Sequence, residues 1–127
     1  MIQITEEQIH QIEAIASSYE NFKCVACAQA IKDYLISQKI SGKCIKLDTG
    51  AAIDDRNNFI YDDSIISADA ISENGRHEGT AILINGVETI FDNHHPDGIP
   101  RDEWIENLQF FGKIHLGQDF QITEEDF

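Results

Sequence analysis

Cys24 and Cys27 lie about one helical turn apart in the run Asn21-Phe22-Lys23-Cys24-Val25-Ala26-Cys27-Ala28. A thiol in the first turn of a helix faces unpaired backbone N–H groups and the positive end of the helix dipole. Both favour the thiolate, the nucleophilic form. Three chemistries fit the pair: attack by one activated thiolate, dithiol–disulfide exchange through the C-x-x-C, or half of a zinc site. Zinc would draw on Cys24, Cys27 and two of His77, His94 and His95, but no second C-x-x-C or H-x₃₋₅-H follows. Redox folds of the thioredoxin type place a strand immediately before the C-x-x-C, whereas a helix is predicted before this one. Nucleophilic catalysis needs a base and a group to orient it, and these must come from further along the chain.

The elements that position these residues read as follows. Thr5 with Gln8 forms a capping box, Glu6 and Glu7 suit a helix start, and Ile9, Ile12, Ile15 and Ala16 carry helical spacing to about Ser18. Asn21 is the expected N-cap of a second helix, with Ala28, Ile31, Leu35 and Ile36 facing inward and Gly42 as its stop. Cys44 to Asp48 alternates as a half-buried strand, with Cys44 on its polar face as a bystander thiol. From Ser64 the pattern is a β-meander. Its strands are Ile66 to Ser72, Arg76 to Ile84 and Val87 to Asp92, turned at Asn74-Gly75 and Asn85-Gly86. A turn-rich connector, Asn93 to Pro100, leads to a helix beginning at Pro100 to Glu103, with Trp104, Leu108 and Phe111 on one face. A last short strand at Lys113 to Leu116 or Phe120 to Thr123 precedes an acidic tail. Helices first and an antiparallel sheet after them make an α+β fold. The expected organisation is one domain over residues 1–127, with a core at 22–116, an N-terminal helix in 1–20 and an acidic segment at 117–127.

The Asn85-Gly86 turn fixes a register. If the loop has two residues, Ile84 opposes Val87, Ala81 faces Ile90 and Gly79 faces Asp92. His77, Gly79, Ala81, Ile90 and Asp92 then share one face. His77 and Asp92 become diagonal neighbours about 7–8 Å apart at Cα level, within reach of an imidazole and a carboxylate, with Gly79 leaving space between them. A carboxylate so placed can orient a histidine and stabilise its cation. The same register sets His94 opposite His77, where the turn residues after Asn93 are expected to end the ladder first. Trp104 has two candidate roles, a cover over the His–Asp pair and an anchor of the core.

The totals exclude several classes. A formal net charge of −14 over 127 residues repels nucleic acid and anionic membranes and suits a basic protein substrate or partner. No basic n-region with an apolar stretch follows Met1, and no window is long and apolar enough to span a membrane. The expected location is cytoplasmic, or a target cell reached through other machinery. Three cysteines in such a chain argue against a disulfide framework. The acidic run Asp54, Asp55, Asp62 and Asp63 lacks the Gly and terminal Glu of a calcium loop and reads as solvated, so no cofactor or metal is expected there.

Three motifs in order, Phe22-Lys23-Cys24-Val25-Ala26-Cys27-Ala28, Asn74-Gly75-Arg76-His77-Glu78-Gly79 and Phe91-Asp92-Asn93-His94-His95-Pro96, resemble the papain-fold toxin domains of bacterial polymorphic toxin systems. The similarity is to the second papain-fold toxin family and spans roughly Phe22 to Trp104. It implies a papain-like fold and a Cys–His–Asp triad serving a cysteine peptidase or a protein glutamine deamidase. By position the nucleophile is Cys24, the base His77 and the orienting acid Asp92, with Cys27 as the alternative nucleophile. Cys24 lies nearer the helix start and feels more of its dipole. Backbone N–H groups at that start would meet the oxyanion, with Asn21 as the nearest side-chain amide to assist. Toxin-system partners, such as an immunity protein, follow from the same resemblance. The rival reading is an acidic, non-catalytic binding module of the immunity type.

Overall fold

The computed structural model describes residues 4–50, 58–65 and 69–127. The Thr5 hydroxyl accepts from Gln8 N–H at 3.1 Å and the Gln8 side chain accepts from Thr5 N–H at 2.9 Å, so α1 (Glu6–Ser17) begins with the expected capping box. The second helix, α2 (Cys24–Ser37), buries Cys24, Cys27, Ala28, Ile31 and Leu35. Two expectations fail at its start and on its face. Phe22 takes a left-handed conformation (φ 68°), which delays the helix, so the cap is Lys23 without a side-chain bond and not Asn21. Ile36 is 52% exposed and points away from the core. The helix is ended by Lys39 (φ 59°) and not by Gly42. Gly42 instead runs close against the next strand, where an added Cβ would lie 2.7 Å from the Ala81 carbonyl oxygen.

Five antiparallel strands follow in the spatial order β5-β4-β3-β1-β7: β1 (Lys43–Asp48), β3 (Arg76–Ile84), β4 (Val87–Asp92), β5 (His95–Pro100) and β7 (Gln121–Asp126). A small ladder pairs β2 (Tyr61–Asp62) with β6 (Leu108–Gln109). The remaining helices are α3 (Arg101–Asn107) and α4 (Phe111–Leu116). The class is α+β, with the helices first and an antiparallel sheet behind them.

The Asn85-Gly86 hairpin has the expected register, with Ile84 opposite Val87 and Ala81 opposite Ile90. The ladder ends at Thr80–Phe91, one pair before Gly79–Asp92. Central strand β3 is covered on both sides. Ile82, with Phe91 of β4, packs on Ile12, Ala16, Cys27, Ile31 and Leu35 of the first two helices. Ala81 and Ile90 share the other side with Ile45, Leu47, Trp104, Phe110 and Phe120. Arg101 at the head of α3 bonds Glu88 of β4 at 2.8 Å and also reaches Glu124 of β7, so the sheet curls until strands from its two halves are tied through one guanidinium.

Several other expectations need correction. Among the described residues Asn74-Gly75 joins no hairpin: Ser72 pairs with Ile60 in an isolated bridge, and the Asn74 side chain accepts from Arg76 N–H. Residues 66–68 of the expected strand, and Asp54 and Asp55 of the acidic run, lie outside the described residues. Asp62 from that run is buried, not solvated, because Ser64 and His95 contact its carboxylate. The stretch after Asp92 is not a connector: only Asn93 and His94 turn, Asp92 pairs with His95, and β5 follows. Leu108 lies in β6, and Phe111, 40% exposed, opens α4 on another surface. Lys113 to Leu116 is helical, and the acidic tail is itself an edge strand, its carboxylates facing Lys43 and Lys46 of β1. Cys44 is buried against Glu78, not exposed on a polar face.

Gly79 is the tightest point between the sheet and α3. A Cβ there would lie 2.7 Å from Ile90 Cγ2 and 2.9 Å from Trp104 Cζ2. Gly79→Ala is expected to destabilise the fold by about 1–3 kcal/mol through overpacking. The lower urea midpoint should be accompanied by a change in the emission of the single tryptophan.

Candidate functional site

Asp92 ends β4 at the point where β3 and β4 stop pairing, and it is buried to 1% exposure. An isolated carboxylate there would be very costly, so donors must surround it. Its Oδ2 accepts from His77 Nε2 at 2.9 Å and from Trp104 Nε1 at 2.8 Å. Its Oδ1 accepts from the His94 backbone N–H and from His95 Nδ1, both at 2.9 Å. Burial pushes the Asp92 carboxyl up, but the hydrogen bonds and charges of His77 and His95 outweigh it and hold the group well below its usual range. Trp104 is the core anchor expected of it, fully buried; its ring also lies 5.8 Å from that of His77, and its N–H fixes the carboxylate.

His77, fully buried on β3, is thus fixed at Nε2. Nδ1 is buried with no hydrogen bond of standard geometry. The Cys24 thiol, at the first residue of α2, is near enough that thiol and ring shift each other's proton equilibria. Burial disfavours the His77 cation, but Asp92 and Cys24 favour it more strongly, and its pKa rises. Burial likewise works against the Cys24 thiolate. The hydrogen bond and charge of His77 and the Glu78 backbone N–H overcome that, against a smaller opposing push from the Glu78 carboxylate, so the thiol's pKa falls.

The three cysteines are therefore unlike. Cys27 is fully buried, and burial together with the charges of Asp92 and Cys24 pushes it up to about 12. Cys44 is pushed up to about 11 by burial and by Glu78, to whose carboxylate its Sγ donates at 3.7 Å. Asn21 holds neither the helix nor a free amide. Its Nδ2 donates to the Ala70 carbonyl and its Oδ1 accepts from His94 Nε2, both at 2.9 Å. Asn93 Nδ2 donates to the Glu20 carbonyl at 2.8 Å. The Asn93-His94 turn thereby clamps the segment that delivers Cys24. The clamp is not legible in the sequence, where residues 93 to 100 read as a turn-rich connector. Its one local trace is the Asn93-His94 pair standing before a stretch able to return as a strand.

Of the rings offered to zinc, His77 and His95 are bonded to Asp92 and His94 to Asn21. Among the described residues no cluster of three or more His, Cys, Asp or Glu is placed to hold a metal, and no helix is long and apolar enough to cross a membrane.

A thiol with a lowered pKa ionises below the ordinary 9.0, while raised thiols stay protonated above it. Iodoacetamide at about pH 6 should therefore alkylate Cys24 and leave Cys27 and Cys44 intact. Peptide mass spectrometry reads the sites, and equal, slow labelling of all three would contradict this electrostatic picture.

Comparison with curated proteins and with solved structures gives no match. The family model described as papain fold toxin 2 matches residues 7–109. The match takes in α1 from its second residue and the whole run from Cys24 through His77, Asp92 and Trp104, and extends past Phe22 to Trp104 on both sides. This chain belongs to the papain fold toxin 2 family.

Proposed function

We propose that the chain is a cysteine hydrolase acting on amide bonds of protein substrates, the enzymatic part of a toxin. The observation that supports this best is a single activated thiol, Cys24, opening a helix beside a buried His77 that is hydrogen-bonded to Asp92. In this reading Cys24 is the nucleophile, His77 the base and Asp92 the group that orients the ring.

The thiolate–imidazolium pair attacks the amide carbonyl carbon, forming a C–S bond and an oxyanion. Lys23 supplies no side-chain cap to α2, which leaves first-turn backbone N–H groups open to receive that oxyanion. With the Asn21 amide engaged on Ala70, the backbone carries this role and Asn21 is assigned to holding the turn. The imidazolium protonates the leaving nitrogen, the C–N bond breaks, and a thioester remains on Cys24. Water, losing a proton to His77, then releases the acid and regenerates the thiol. Cleavage of a peptide bond and deamidation of a glutamine side chain use these same steps and differ only in which amide enters.

The formal charge of −14 favours a basic protein as target or as toxin-system partner. The dithiol and zinc readings find less support, since Cys27 is buried and strongly disposed to remain a thiol. Amide hydrolysis or glutamine deamidation of a basic protein panel, followed by mass spectrometry, tests the proposal. Cys24→Ala should lower turnover by about 10³-fold or more, whereas Cys27→Ala should retain most of it. Equal activity of wild type and Cys24→Ala would exclude the mechanism.

A further inference from the structure

Beyond His77 and Asp92 the buried network continues into residues the triad does not need. His95 opens β5 with its side chain 10% exposed, lying between Asp92 of β4 and Asp62 of β2. Its Nδ1 is 2.9 Å from Asp92 Oδ1. Its Nε2 is 2.8 Å from Ser64 Oγ and 3.3 Å from Asp62 Oδ2. Hydrogen-bond accounting fixes the protonation of this ring. With Asp62 as an ionised carboxylate, the one hydroxyl hydrogen of Ser64 lies in the 2.5 Å contact to Asp62 Oδ1, and toward His95 the oxygen accepts. Asp92 accepts as well. Both ring nitrogens must then carry hydrogen, and Asp62 Oδ2, buried and without a hydrogen bond, supplies a countercharge.

We propose that His95 is a positioning residue of this site: an imidazolium, wedged between Asp62 and Asp92, that fixes one oxygen of Asp92 while His77 holds the other. The significance for amide hydrolysis rests on the function proposed above; the charge state of His95 does not. The network runs Asp62, His95, Asp92, His77, Cys24 with alternating sign. Because His95 shares the Asp92 charge and repels the neighbouring cation, it limits how firmly His77 keeps its proton. A base held too firmly protonated would be slow to take the proton of the water that releases the thioester. His94, also next to this cluster, is kept toward its neutral form by burial and by the charges of His77 and His95, with Asp92 and Asp62 pulling the other way.

The test is an NMR titration of the ring nitrogens in histidine-labelled protein, with His77 and His95 assigned by His77→Gln and His95→Asn. Wild-type His95 should show two protonated nitrogens at about pH 7. His95→Asn keeps an N–H donor toward Asp92 without the charge, so the His77 midpoint should rise by about half a unit or more. Asp62→Asn should lower the His95 midpoint, and it serves as the informative variant if His95→Asn fails to fold. An unprotonated nitrogen on wild-type His95 at that pH, or a His77 midpoint that stays put or falls in His95→Asn, overturns the proposal. Since the rings are read directly, absence of amide hydrolysis would refute the preceding function while leaving this result standing.

Discussion

A carboxylate taken out of water must be met by donors, and the architecture around Asp92 follows from that requirement. Four N–H groups converge on its two oxygens: from β3, from α3, from the His94 backbone in the turn and from the His95 side chain at the start of β5. The donors tie these elements together: His77 the central strand, Trp104 the helix α3 against the sheet, and His94 and His95 the return into β5. With four bonds made, a carboxylate has little acceptor capacity left and no freedom to rotate. The histidine it holds is correspondingly fixed in orientation, as the base role proposed for it requires.

The thiol is brought to that pair by different means. β3 and β4 stop pairing after Thr80 and Phe91, and α2 starts near the place where they part. Thr80 Oγ1 donates to the Ala28 carbonyl at 3.4 Å, holding the helix to the strand. Asn21 and Asn93 fasten the preceding segment to the turn beyond Asp92. Phe22, strained at φ 68° and half exposed, reverses the chain just before the helix, a cost of the kind that functional sites carry. The placement of Cys24 therefore depends on contacts between residues 49 to 73 positions apart.

That division explains what the sequence made legible. The Asn85-Gly86 turn is a local signal with a two-residue geometry, so the register that sets His77 diagonal to Asp92 can be worked out from the chain alone. The capping box at Thr5 is equally local. Non-local facts escaped. Asn21 has the right type for a helix cap, but Ala70 and His94 claim its side chain. His95 stands in a Pro- and Gly-rich run that reads as a loop, and only the bond from Asp92 to β5 makes it part of a buried network. The strand expected at Phe120 to Thr123 overlaps the start of β7, but its continuation through Glu124, Glu125 and Asp126 reads as an acidic tail, because Lys43, Lys46 and Arg101, which supply the countercharges, lie far away in sequence.

The central claim is that His77 makes Cys24 a thiolate while the other two thiols remain neutral. Its most direct measurement is the ultraviolet absorbance of the thiolate across a pH titration of the Cys27→Ala, Cys44→Ala protein, in which Cys24 is the single thiol. The same titration is then repeated with His77→Ala added. The account predicts that Cys24 ionises clearly below the ordinary 9.0 and that removing His77 moves the transition upward. A midpoint at or above the ordinary value, unchanged by loss of His77, would contradict it.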